Sequence, residues 1–142
     1  MKDFQLRNYT KLLFRNDPAA DLAALTEGKK VLFVYGGGSV KTNGCYDDVK
    51  KAVESAGGTL YELANASREL EIIEKGIALA KEKSIELVIG AGGANIMDCA
   101  KLIAFGTYHE DDLWAYIKSE KNPYGLKKLP LILMPTYPSS GS

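Results

Sequence analysis

Several features that would assign a function directly are scarce or missing in this 142-residue sequence. It has one histidine, His109, which we expect on the solvated surface, and two cysteines, Cys45 and Cys99. The cysteines are too few and too far apart for a disulfide scaffold or a closed zinc site. Basic and acidic residues number eighteen each, so a charge-driven nucleic-acid binder is not expected. No apolar run approaches the roughly 18 residues that cross a bilayer, which predicts a cytoplasmic protein without a membrane partner.

Short apolar segments alternate with amphipathic ones along most of the chain. The predicted strands are Lys30–Tyr35, Thr59–Leu63, residues 86–90 and residues 129–134. The predicted helices, with apolar residues three and four positions apart, are residues 49–56, 70–80 and 96–105. The alternation predicts an α/β fold: one Rossmann-like domain over residues 1–142 with a doubly wound, mainly parallel sheet. Residues 4–9 are predicted to form an edge strand or hairpin arm, and residues 108–128 an irregular surface segment.

Glycine-rich turns follow the first and the third predicted strand. The first reads Tyr-Gly-Gly-Gly-Ser-Val-Lys at residues 35–41, and the second reads Gly-Ala-Gly-Gly-Ala-Asn-Ile-Met-Asp at residues 90–98. Parallel strands end at a common edge of the sheet, and glycine lets the backbone approach an anion closely. The two turns together therefore predict a site for a phosphate-bearing ligand. Neither turn matches the usual dinucleotide or P-loop pattern, so a merely tight connection remains the alternative for each turn taken alone.

The residues of the first turn favour one class of dinucleotide. No acidic residue stands at the strand end, where a carboxylate that binds the ribose would normally lie. Gly37, Gly38 and Ser39 offer backbone amides and a hydroxyl instead, and Lys41 adds an ammonium group. These groups suit an additional phosphate, which a carboxylate would repel. The pattern therefore predicts NADP(H) as the preferred cofactor.

Three blocks of the sequence, at residues 35–44, 92–101 and 135–142, resemble the iron-containing (group III) alcohol dehydrogenase family. The similarity is to its NADPH-dependent butanol dehydrogenase branch. The most specific block is Gly-Gly-x-x-x-x-Asp-x-Ala-Lys at residues 92–101. Residues 4–14 and the Leu113-Trp114 pair also fit the family, so the resemblance covers essentially the whole chain.

The resemblance implies cofactor contacts by position. The residues are Gly37, Gly38 and Ser39 for the 2′-phosphate, Gly92, Gly93, Ala94 and Asn95 for the pyrophosphate, Asp98 for the nicotinamide side, and Thr136 and Ser139 for the adenine and ribose. Ala94 and Asn95 replace a glycine and a serine of the family loop, and alanine fits there only if its φ is not positive. For Asp98, the residues alone leave open a role as an acid in the first turn of its helix.

Family members combine an N-terminal α/β half that binds the dinucleotide with a helical C-terminal half that carries the metal ligands. This sequence resembles the cofactor half alone. The resemblance implies hydride transfer between a small alcohol or aldehyde and the nicotinamide in the complete enzyme. Iron or zinc is expected only in that two-domain enzyme, and we assign no catalytic residue and no metal ligand to this chain. A stand-alone nucleotide-binding module and a non-catalytic fragment, which could pair as a homodimer, stay open as alternatives.

Overall fold

The structure is a computed structural model that describes residues 8–109, 112–119, 121 and 125–137. In chain order its elements are α1 (Ala19–Thr26), β1 (Lys30–Tyr35), α2 (Ser39–Thr42), α3 (Cys45–Ser55), β2 (Thr59–Leu63), α4 (Leu70–Glu82), β3 (Leu87–Gly92), α5 (Ala94–Gly106), α6 (Leu113–Lys118) and β4 (Leu131–Pro135). The strands form one parallel sheet in the order β2-β1-β3-β4. The predicted α/β fold with a parallel sheet is confirmed.

Helices cover both faces of this sheet, which explains why the central strands are almost entirely apolar, with Lys30 at the start of β1 as the exception. Leu32 and Val34 of β1 pack in one apolar cluster with residues of α4 and α5. The alternate residues Val31 and Phe33 pack in a second cluster with residues of α1, α2 and α3. The sheet is therefore the middle layer between two groups of helices, and β1 and β3 are its most buried strands.

The order of the strands places a topological switch point between β1 and β3. The chain leaves β1 for β2 on one side, and then crosses back to β3 on the other side of β1. The connections consequently lie on opposite faces, with α2 and α3 on one and α4 on the other. In open parallel sheets, ligands bind outside the carboxyl ends of the strands at such a point.

The four predicted strands and three predicted helices are confirmed, with shifts at their ends. Three helices were not predicted: α1, α2 and α6. In α1, the side chain of Asp17 accepts a hydrogen bond from the Ala19 amide at 2.9 Å, and Leu22 is buried. The prediction of an irregular segment at residues 108–128 is wrong where α6 lies, because Asp112 caps that helix. The predicted arm at residues 4–9 falls largely outside the described residues, and residues 8 and 9 belong to no strand.

Candidate cofactor site

The two glycine-rich turns meet at the carboxyl edge of the sheet, as predicted. Tyr35, the last residue of β1, is paired with Ala91, and Gly92 at the end of β3 is paired with Pro135. Beyond the strand ends, the Thr136 amide donates a hydrogen bond to the Gly92 carbonyl at 3.0 Å. The turn after β1, the turn after β3 and the residue after β4 therefore lie side by side. Ser139, which was also predicted to contact the cofactor, lies outside the described residues.

The second turn joins β3 to α5 and needs glycine at two of its positions for different reasons. Gly92 has a φ of 155°, and a Cβ atom there would lie 2.7 Å from the Ile96 Cγ1 atom. Gly90, two residues earlier, would place a Cβ 2.6 Å from the Cβ of Ala100. These contacts exclude larger residues and hold α5 close against β3. The N-terminal end of α5 is thereby fixed at the edge of the sheet.

Gly93 differs from these glycines because the space beside it is open. Among the described residues, no atom would lie within 4 Å of a Cβ atom at Gly93, and its φ of −79° is ordinary for any residue. Gly93 is also the N-cap of α5, and no side chain of the described residues caps the helix at this position. Ala94 and Asn95 follow as the first helical residues, and neither has a positive φ, so the alanine is accommodated. The predicted pyrophosphate position is thus the uncapped N-terminus of α5, where the first backbone amides of a helix lack partners within the helix, with open space beside Gly93.

The first turn, after β1, is more exposed. Gly37, Gly38 and Ser39 are exposed, and a Cβ atom at Gly37 would have the Asn65 Oδ1 atom at 3.9 Å as its nearest neighbour. This turn also touches the second one, because a Cβ at Gly36 would lie 3.4 Å from the Ile96 Cδ1 atom. The predicted residues of both turns therefore belong to one continuous surface.

Two tyrosines and a glutamate near the first turn form a group that the sequence did not predict. The Tyr35 hydroxyl donates to Glu62 Oε2 at 2.6 Å, and the Tyr46 hydroxyl donates to Glu62 Oε1 at 2.9 Å. Burial and the hydrogen bond to Glu62 raise the pKa of Tyr35. The Lys41 ammonium lies 5.8 Å from the centre of the Tyr35 ring and 5.1 Å from that of the Tyr46 ring.

This group matters because Glu62 is a carboxylate near the end of β2, where a Rossmann fold usually carries the acid that binds the ribose. Both oxygens of Glu62 already accept a tyrosine hydroxyl. The Lys41 ammonium, by contrast, is held over the tyrosine rings beside the first turn. The sheet register brings these residues together, since Tyr35 continues the face of β1 that carries Phe33, and Phe33 is paired with Glu62.

Asp98 lies in α5 beyond its first turn, so the alternative of an acid in that turn is wrong. Its Oδ1 atom is 3.5 Å from the Lys101 ammonium, and its Oδ2 atom is 3.9 Å from the Arg68 guanidinium. Arg68 belongs to the segment between β2 and α4, and its side chain is 61% exposed. Asp98 is therefore just over one helical turn from the N-terminus of α5, together with two cations.

A further cavity lies away from the carboxyl edge. A cavity of about 350 Å³ lies near the far end of α5, between α4, α5 and α6, and is lined in part by His109 and Tyr116. His109 is half-buried there, with its ring centre 4.1 Å from that of Phe105, so the expected surface histidine is only partly solvated. Among the described residues, no three His, Cys, Asp or Glu side chains form a group that could hold a metal ion. None of the described helices has the length and apolar character needed to cross a bilayer.

The fold and this edge together define an α/β domain of the dinucleotide-binding class. The family model for iron-containing alcohol dehydrogenases matches residues 10–142, and the chain belongs to that family. It corresponds to the N-terminal part of the family's proteins, the part that binds the nucleotide cofactor.

Similar proteins support the same assignment. The probable NADH-dependent butanol dehydrogenase 1 of Bacillus subtilis is 36% identical over 127 residues, which are 87% of this chain and 33% of that protein. The NADP-dependent alcohol dehydrogenase 3 of Entamoeba histolytica is 30% identical over 148 residues, covering 100% of this chain and 38% of that protein. The crystal structure of an NADH-dependent butanol dehydrogenase A from Thermotoga maritima superposes with a TM-score of 0.81 at 30% identity, over 94% of this chain and 34% of that one. This chain thus spans about a third of the length of these relatives.

Proposed function

We propose that the carboxyl edge of the sheet binds a nicotinamide dinucleotide, with the pyrophosphate at the N-terminus of α5. The open space beside Gly93 is the observation that carries the proposal. The N-terminus of this 13-residue helix lies beside a switch point and has no side-chain cap from the part of the chain that the structure describes, so it offers amide donors and a favourable dipole to an anion. Gly92 and Thr136 form the neighbouring backbone on one side, and the first glycine turn lies on the other.

The activity that we propose for the complete protein is oxidation of a small alcohol or reduction of the corresponding aldehyde. The bound nicotinamide would supply or accept the hydride. The part that we propose for this chain is to bind and orient the cofactor, and we assign Asp98 to the nicotinamide half from the family resemblance. The iron or zinc that the family resemblance implies is assigned to the complete protein and to none of the residues named here.

We further propose that the chain prefers NADP(H) to NAD(H). The names of the relatives divide between the two cofactors, so the preference is argued from this chain's own residues. Gly37, Gly38 and Ser39 present an exposed turn without a carboxylate, and Lys41 is held beside it by two tyrosine rings. The nearby Glu62 carboxylate is occupied by two hydroxyl donors. A 2′-phosphate at this turn would gain a cation without meeting an unpaired acid.

Replacing Gly37 with aspartate should separate the two cofactors. The side chain has room, since the nearest atom to a Cβ is at 3.9 Å and the residue is exposed. A carboxylate beside the 2′-phosphate should lower the affinity for NADPH by about ten-fold or more through like-charge repulsion, and leave that for NADH nearly unchanged. Calorimetric titration of the parent chain and the variant with both cofactors measures this difference.

Gly37→Asn is the matched control, because it has nearly the same shape without the charge. We expect it to bind NADPH within about three-fold of the parent. If Gly37→Asp binds NADPH as well as the parent does, the 2′-phosphate does not lie at this turn. If both variants lose NADPH equally, the cause is steric and the electrostatic argument for NADP(H) is wrong.

A further inference from the structure

The segment that connects β2 to α4, residues 64–69, crosses the edge between the two glycine turns. The Ala66 amide donates a hydrogen bond to the carbonyl of Tyr35 at 2.9 Å, which fixes the segment at the end of β1. The Asn65 side chain approaches Gly37 of the first turn. On the other side, the Ser67 backbone lies close enough to the Cys99 thiol in α5 to offset part of the rise that burial causes in the pKa of that thiol. The segment therefore lies against the first turn and α5, with Arg68 at its α5 side.

The Arg68 guanidinium lies near α5, and its contact with the neighbouring Asp98 carboxylate is weak. Its distance of 3.9 Å to the Asp98 carboxylate is too long for a hydrogen bond. The side chain is 61% exposed, and exposed ion pairs of this kind contribute little to stability. Asp98 has a second cation, Lys101, at 3.5 Å, so it keeps a charged neighbour if Arg68 moves. Arg68 can therefore change its contact at low cost.

The N-terminus of α5 is within reach of this side chain. Asp98 is four residues beyond Ala94, which is roughly 6 Å along the helix axis. A guanidinium group has five N–H donors in a planar fork and binds phosphate oxygens in pairs. The open helix amides and Arg68 would thus approach the same anion from two sides.

We propose that Arg68 is a further cofactor-binding residue, whose guanidinium leaves Asp98 and binds the pyrophosphate of the dinucleotide at the N-terminus of α5. This inference rests on the proposed function, because it assigns an additional ligand to the same site. Different residues then bind the two phosphate groups of NADPH. Arg68 binds the pyrophosphate, whereas Lys41 and the first turn bind the 2′-phosphate.

The test uses three probes with the full 142-residue chain. NADPH carries both groups, ADP carries the pyrophosphate without a 2′-phosphate, and 2′-AMP carries the 2′-phosphate without a pyrophosphate. Arg68→Gln should bind NADPH and ADP about ten-fold more weakly than the parent and should bind 2′-AMP with unchanged affinity. Thermal unfolding of the variant should match that of the parent, since the side chain is exposed.

Lys101→Gln is the matched control, because it removes the same charge beside the same Asp98 carboxylate. We expect its affinity for ADP to stay within about two-fold of the parent. An equal loss for Arg68→Gln and Lys101→Gln would show a general effect of charge and would overturn the assignment. Unchanged binding of ADP by Arg68→Gln, or an equal loss of 2′-AMP, would also overturn it while leaving the proposed function intact. If the parent binds neither ADP nor NADPH, the proposed function fails, and this assignment fails with it.

Discussion

Replacing Gly93 with alanine is expected to weaken NADPH binding by at least about ten-fold while it leaves the fold intact. In the free chain a Cβ at this position has no atom of the described residues within 4 Å, and the φ of −79° suits alanine. If the pyrophosphate approaches the backbone here, the added methyl group occupies the space of a phosphate oxygen. The loss of affinity then comes from the ligand alone. Calorimetry with NADPH measures the affinity.

Chemical denaturation of the same variant supplies the control. Alanine is a poorer N-cap than glycine but restricts the unfolded chain more, so the free energy of unfolding should change by less than about 1 kcal/mol. A Gly93→Ala variant that binds NADPH like the parent would show that the cofactor does not approach this backbone. The pyrophosphate position proposed for the N-terminus of α5 would then be wrong.

Replacing Gly90 with alanine is expected to lower the stability of the fold strongly, in contrast to the change at Gly93. The added methyl group lies in the core and does not enter the space proposed for the cofactor. Its Cβ would lie 2.6 Å from the Cβ of Ala100 and 3.3 Å from the Cδ2 atom of Leu133. Gly90 is fully enclosed in the central strand β3, so α5 must move away from the sheet. We expect the free energy of unfolding to fall by about 2–3 kcal/mol, which is typical of overpacking in a core.

Urea denaturation followed by circular dichroism measures this loss, and Gly93→Ala is the matched control in the same connection. Both variants add one methyl group, but the one at Gly93 enters open space. A decrease below about 0.5 kcal/mol for Gly90→Ala would contradict the close approach of α5 to β3. That approach fixes the N-terminus of α5, so the geometry of the proposed site depends on it.

The comparison of these glycines shows how far the sequence could predict the site. Both glycine-rich turns, and their meeting at one edge, follow from the alternation of strands and helices, because parallel strands must end together. The sequence could not show which structural role each glycine within a turn has. Gly90 is needed for packing, Gly92 for a positive φ, and Gly93 leaves space. These roles depend on the position of Ile96 and Ala100 in α5, which is set by tertiary packing.

The helices that were not predicted have a related explanation. Helix α1 is short and rich in alanine, so it has little of the periodic apolar pattern that identifies a helix in a sequence. Helix α6 has only six residues, and its start depends on Asp112, whose side chain accepts hydrogen bonds from the Trp114 and Ala115 amides. The tyrosines and lysines of residues 108–128 favoured the prediction of an irregular segment. The Asp112 cap nevertheless stabilises a short helix there.

The contacts of Glu62 and Arg68 could not be predicted because their partners are distant in the sequence. Glu62 accepts hydrogen bonds from Tyr35, which is 27 positions away, and from Tyr46. Arg68 approaches Asp98 through the packing of the β2–α4 segment on α5. Each residue alone reads as an ordinary surface charge. Their proposed significance arises from the sheet order, which brings these segments to the switch point.

The most direct test of the central claim is nuclear magnetic resonance of the ¹⁵N-labelled chain during titration with NADPH. If the carboxyl edge binds the dinucleotide, the amide signals of Gly37–Ser39 and Gly93–Asn95 should shift and reach saturation together. The signals of Phe105 and His109 at the distant cavity should stay in place. Saturable shifts centred on that cavity, or no saturable shifts at the two glycine turns, would contradict the claim that this edge is a dinucleotide site.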